Sequence, residues 1–278
     1  MKIRRLNDNK VNELYKLRDT RRSIYKFQIN FIANFNKRYI VANSILADYR
    51  NNFKSKSILE ISTANYVSSI VTCWETFFRD LFVFVCDTDN TLREKCILEC
   101  QNKGYLDIIK QKNLTVSEYM SKQFNFQNFN DLLKSLNFLN GDNLNSIDEY
   151  LKLFLKNECI FASKTYILYW LQQIKKDYNF KNDIDNIIKT TLEVRHNIIH
   201  DANYQFKIDD DFMTKMEHCF FTIPQCIAMH FAIKYNCKMP LINIKNNRIK
   251  ESSNITSENI PYIFTLDSLD NKYYVYDN

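Results

Sequence analysis

Arg195, His196, Asn197 and His200 lie within six residues of one another, in the segment Leu192-Glu-Val-Arg-His-Asn-Ile-Ile-His-Asp201. An imidazole titrates near neutrality, so it can take a proton from a hydroxyl or return one to a departing oxygen. A guanidinium keeps its charge, and its fixed fork of donors suits phosphate oxygens and the charge that builds up at a reacting phosphorus. At about 100° per residue His196 and His200 share a helix face, whereas Arg195 and His200 differ by about 140°. Joint use of the two therefore requires the helix to end near His200, or the side chains to converge on a groove, such as one completed by another subunit. A second reading stays open: a solvated helix C-terminus, where cations suit the helix dipole and His200 closes the last turn.

The elements that must carry this segment read as long helices. Only two glycines and three prolines punctuate 278 residues, which excludes glycine-rich phosphate loops, collagen and turn-dense β architectures. From Val11 to about Tyr49 apolar residues recur at helical spacing and predict one or two long helices. Ser57 to Val85 carries two neighbouring apolar stripes, Tyr66, Ile70, Cys73, Phe77 and Val67, Val71, Trp74, Phe78, so it is expected to be a central helix touched from several sides. The stretch from about 92 to 155 reads as an irregular helical insert. Thr115 and Glu118 form a capping box there, Phe129–Leu139 a short helix, and Gly141-Asp142-Asn143 a turn. Helices are expected over Ile160–Ile174, Ile184–Ile199 and about Asp210–Tyr235, with Asp209 or Asp210 as an N-cap and Pro224 kinking or dividing the last. After Pro240 the pattern changes to short strands at Leu241–Ile244, Tyr262–Leu266 and Tyr274–Tyr276, with Leu269–Lys272 as a hairpin turn. The organisation expected is an all-α domain over residues 1–238 with a core at about 57–235, followed by a small β appendage over 239–278.

The charge balance is 38 Lys and Arg against 32 Asp and Glu, a formal +6, which permits RNA binding without requiring it. Arg18, Arg21, Arg22 and Lys26, interleaved with Tyr15, Tyr25 and Phe27, are candidate phosphate contacts or, alternatively, a solvated helix face. No apolar run opens the chain and none is long enough to cross a bilayer, so a cytoplasmic location without membrane contact is expected. Eight cysteines spread through helical segments read as reduced, mostly buried thiols. Cys226 and His230, near His218, Cys219 and Cys237, have the spacing of a zinc pair but lack a CxxC partner, so no metal or other cofactor is expected.

Two segments together resemble a known family. Arg195-His196-Asn197-Ile198-Ile199-His200 is similar to the R-x4-6-H signature of the HEPN superfamily (higher eukaryotes and prokaryotes nucleotide-binding). Trp74-Glu75-Thr76-Phe77-Phe78, about 120 residues upstream, resembles the earlier core helix of the RiboL-PSP-HEPN branch. The resemblance implies a metal-independent endoribonuclease, active as a homodimer whose two motifs line a basic cleft. It makes Arg195 and His200 the catalytic pair, with His196 and Asn197 supporting, and Glu75 an acidic residue beside the motif. The reaction implied is attack of a ribose 2′-hydroxyl on the adjacent phosphate, leaving a 2′,3′-cyclic phosphate and a 5′-hydroxyl. Such families commonly act as toxins or in antiphage defence, so a cognate antitoxin or other inhibitor is an expected partner. Two rival functions stay open: a catalytically silent RNA-binding or dimeric assembly module, and a nucleotide-binding partner of a neighbouring enzyme.

Overall fold

The computed structural model describes residues 8–16, 18–52, 56–141, 147, 150, 180–201, 203–204, 210–238, 240–243 and 248–251. Among them the fold is all-α, in the order α1 (Asp8–Lys16), α2 (Arg18–Arg21), α3 (Ile24–Asn52), α4 (Lys56–Thr88), α5 (Asn90–Asn102), α6 (Leu106–Gln111), α7 (Val116–Ser121), α8 (Phe129–Asn140), α9 (Phe180–His200) and α10 (Asp210–Lys234). A two-stranded antiparallel ladder follows, with β1 (Pro240–Asn243) pairing Pro240 to Glu251 and Asn243 to Arg248 of β2 (Arg248–Glu251). No helix of the described residues is long and apolar enough to cross a membrane.

The double apolar stripe makes α4 the axis of the molecule, and α2, α3, α5, α7, α8, α9 and α10 all pack on it. From Leu81 to Cys86 every residue is buried, so no face of that stretch meets solvent. Aromatic rings fix the neighbours: Phe77 meets Phe31 of α3 at 5.0 Å between centroids, Trp74 meets Phe220 of α10 at 4.4 Å, and Phe82 meets Phe124 at 5.1 Å. Burying a side chain of this size contributes about 2–3 kcal/mol, and the rings interdigitate rather than merely accumulate.

Local signals set several helix ends. Asp89 caps α5 by accepting from the Leu92 N–H at 3.1 Å. The Thr115/Glu118 capping box forms as expected and opens α7. Asn128 caps α8, which stops at Gly141, where φ is 78°, a left-handed conformation that glycine alone adopts without strain.

The described helices refine several expectations. The N-terminal segment is interrupted at Arg22 and Ser23, between α2 and α3. The expected irregular insert begins with a regular 13-residue helix, α5, and α5, α7 and α8 pack on α4. Pro224 does not divide α10. Met216 and every residue from His218 to Met229 are buried, so packing on α3, α4 and α9 outweighs the single N–H that proline lacks. Gln225 Nε2 also donates to the Phe221 carbonyl at 2.8 Å. The partner of the first appendage strand is Arg248–Glu251, a segment the sequence pattern did not mark. The helix expected at Ile160–Ile174, the N-cap Asp209 and the strands beyond Glu251 lie outside the described residues; Asp210 is the first residue of α10.

Candidate active site

The stripe Ile184, Ile188, Thr191 and Leu192 is buried, and it docks α9 on α4 and α10. Arg195 continues that stripe at helical spacing, which is why it is half-buried instead of solvated. Its neighbour His196 and, one turn on, His200 are exposed. Their rings lie 4.6 Å apart between centroids, as a shared face requires. The helix ends at His200. The Asp201 N–H still donates to Asn197 O at 2.9 Å, and the Asp201 carboxylate accepts from the Asn203 N–H at 2.9 Å, turning the chain away. Ile198 packs against the core, whereas Ile199, next to His200 in the chain, is 48% exposed.

Arg195 is held from the opposite direction. Its NH1 donates to Gln127 Oε1 at 2.5 Å. The same amide donates from Nε2 to Glu75 Oε2, and Glu75 Oε1 accepts from Arg79, one turn along α4. A chain of contacts thus joins α9, the turn before α8, and α4. Glu75 is therefore both the carboxylate of a helical pair with Arg79 and, at one remove, a partner of Arg195. Burial pushes the Arg195 guanidinium below its ordinary value, and the Glu75 charge opposes that shift. Arg195 Nε is buried and has no hydrogen-bond partner among the described residues. The Asn197 side chain is half-buried. Within one chain, Arg195 and His200 face different neighbours: the guanidinium meets Gln127 and the imidazole meets His196.

Gln127 is the residue that sequence reasoning missed. It lies 52 positions from Glu75 and 68 from Arg195, so no local spacing announces it.

The basic run behaves differently from the RNA-contact expectation. Arg21 is buried, its side chain 2% exposed, with Nε donating to Asp80 Oδ1 at 2.6 Å and NH1 to the Leu14 carbonyl at 2.9 Å. Arg18 forms a two-pronged bridge to Glu118, at 2.8 and 2.7 Å, and donates to the Asn113 carbonyl at 2.6 Å. That bridge is the main reason its guanidinium is raised above the ordinary value. Arg21 is therefore removed from the candidate phosphate contacts and Arg18 is committed to the fold, because carboxylates distant in sequence claim them. Arg22 and Lys26 remain exposed. A cavity of about 440 Å³ opens beside these arginines, bounded also by Asp87, Thr115 and Glu118.

The cysteine and histidine cluster of α10 is core. Cys219, Cys226 and His218 are buried, and burial alone drives His218 down to about 3 and the Cys226 thiol upward. His230 Nε2 lies 3.1 Å from Asn140 Oδ1, and its ring meets Tyr150 edge-on. Among the described residues no group of three or more His, Cys, Asp or Glu is gathered as a metal-ligand set. Seven cysteines are described, all as free thiols, and only Cys237 is not fully buried. No protein-family model, curated protein or solved structure matches this chain.

Proposed function

We propose that the protein is an endoribonuclease acting as a homodimer, with Arg195 and His200 as its reacting pair. The observation that carries this reading is the end of α9: an exposed pair of imidazoles directly beyond an arginine tethered from below. His200 takes the proton of a ribose 2′-hydroxyl, whose oxygen then bonds to phosphorus as the bond to the 5′-oxygen breaks. The departing oxygen receives a proton from an imidazolium, and Arg195 offsets the charge on the non-bridging oxygens. His196 and Asn197 serve substrate positioning. The residues supply both the acid–base groups and the cation, so the reaction is proposed to need no metal.

The different directions of Arg195 and His200 within one chain call for a second copy, whose His200 meets the first chain's Arg195 across a shared cleft. Exposed Ile199, next to His200 in the chain, suits such a contact. Arg22 and Lys26 remain as backbone contacts for RNA. A role as a toxin or antiphage effector with a cognate inhibitor follows from the family resemblance alone. The separation of Arg195 from His200 also favours a rival reading, a silent RNA-binding or assembly module, should the chain stay monomeric.

The deciding experiment is incubation of total cellular RNA with purified protein in excess EDTA, wild type beside Arg195→Ala and His200→Ala, with product ends mapped. Discrete cuts ending in cyclic phosphates, absent from both variants, are the expected result. Intact RNA in every lane, with a folded dimeric wild type, would move the assignment to the silent module.

A further inference from the structure

Gln127 sits on a turn anchored in the core. The side chains on either side of it, Phe126 and Phe129, are 0% and 6% exposed. The Asn128 N–H donates to Asn125 O at 2.8 Å, Asn128 caps α8, and the Gln127 N–H reaches Asn125 Oδ1 at 3.3 Å. A core-anchored turn thus presents one amide between α4 and α9. The orientation of that amide is fixed by chemistry. A guanidinium can only donate and a carboxylate can only accept, so the oxygen must face Arg195 and the nitrogen must face Glu75.

Resting on the nuclease reading above, we infer that Gln127 is the positioning residue for Arg195, tethering its guanidinium while standing between it and Glu75 so that its charge stays available to phosphate. A carboxylate bonded directly to Arg195 would give the same tether but cancel much of the charge. Glu75 instead directs its other oxygen to Arg79, and the neutral amide passes on geometry without neutralisation. The insert between α4 and α9, which the core motif does not need for its own residues, thereby gains a function: it delivers this amide.

Two substitutions separate tether from charge. Gln127→Met keeps length and apolar packing but cannot hydrogen-bond; Gln127→Glu keeps an acceptor for Arg195 and adds a charge. The first readout needs no activity: the Arg195 Nη1–H resonance in ¹⁵N-labelled full-length protein, assigned by its absence in Arg195→Lys. With Gln127→Met this resonance is expected to move and to exchange with water about tenfold faster, whereas with Gln127→Glu it stays protected. The second readout is single-turnover RNA cleavage. Both variants are expected to lower kcat by about 10- to 100-fold, with KM changing much less. Melting curves confirm that each variant is folded. An unmoved Arg195 resonance in Gln127→Met would overturn the tether. A kcat for Gln127→Glu equal to wild type would overturn the spacer role. If the wild type cleaves no RNA, the nuclease reading fails, and the resonance still decides whether Gln127 positions Arg195.

Discussion

Two arginine sites in this molecule are built in opposite ways. At the meeting of α2, α4 and α7, Arg18 and Arg21 are met directly by Glu118 and Asp80, with side chains of Arg21, Asp80 and Glu118 at most 5% exposed. At the end of α9, Arg195 meets a neutral amide, with its carboxylate one residue further off. The first arrangement uses up charge to lock helices together. The second fixes a cation in place through a neutral amide, on the same helix that ends in the exposed imidazoles. A basic residue is thus available to a phosphate according to what lies behind it, and the sequence run of basic residues is a poorer guide than the identity of the tethering group.

The comparison can be broken or sharpened at four points. The largest effect is expected from His200→Ala, which should lower RNA cleavage by about 100-fold or more while shifting stability by about 0.5 kcal/mol or less, because the side chain is exposed; single-turnover kinetics beside urea unfolding would show both. Arg21→Met should do the reverse. It deprives buried Asp80 of its guanidinium and costs about 3–5 kcal/mol of unfolding free energy, read from the denaturant midpoint. Equal loss of cleavage and stability at the two sites would erase the distinction.

A third test concerns two ionisable groups whose titration is shifted chiefly by burial. Burial raises Glu217 from 4.5 to about 7, against a lowering by its Tyr66 hydrogen bond at 2.7 Å. Its neighbour His218 is lowered from 6.5 to about 3. For Glu217 the unfolded chain gives up its proton first, so its contribution is complete below 4.5 and is lost as pH rises to about 7. For His218 the unfolded chain gains a proton first, so its contribution is complete above 6.5 and is lost as pH falls towards 3. Glu217→Gln should therefore flatten the decline on the alkaline side of that window by on the order of 2 kcal/mol, measured by unfolding at a series of pH values. An unchanged slope would show that Glu217 ionises in the folded protein as it does in the unfolded chain. The smallest effect is expected from Thr115→Ala. It removes one half of the capping box that also holds Glu118 in place and should cost about 1 kcal/mol, seen in the melting temperature.

Much of the scaffold was legible because it is written locally. The two stripes of α4, the Thr115/Glu118 box and the Phe129 helix each depend on residues within about a turn of one another, and each formed. The facing of His196 and His200 was legible for the same reason, since helical spacing alone puts them together. What stayed hidden depends on long-range contact. Asp80 and Glu118 claim Arg21 and Arg18 from 59 and 100 positions away. The half-burial of Arg195 follows from its place on the core stripe, which was readable, but the amide that receives it was not. Pro224 leaves α10 undivided for a related reason, since burial on all sides outweighs the loss of one N–H donor.

The length of α4 has a kinetic consequence. Its 33 residues span about 50 Å, yet dense burial begins only at Tyr66, and Ile58 and Ile61 near its start are 47% and 63% exposed. One continuous helix therefore contains two regimes of hydrogen exchange. Amides from about 57 to 63, where no side chain is buried, open locally. Those from Val67 to Cys86 wait for the whole core to come apart. The slowest protons in the protein should accordingly mark the same stretch that carries Glu75, so the acidic end of the Arg195 chain rests on the last part of the molecule to melt.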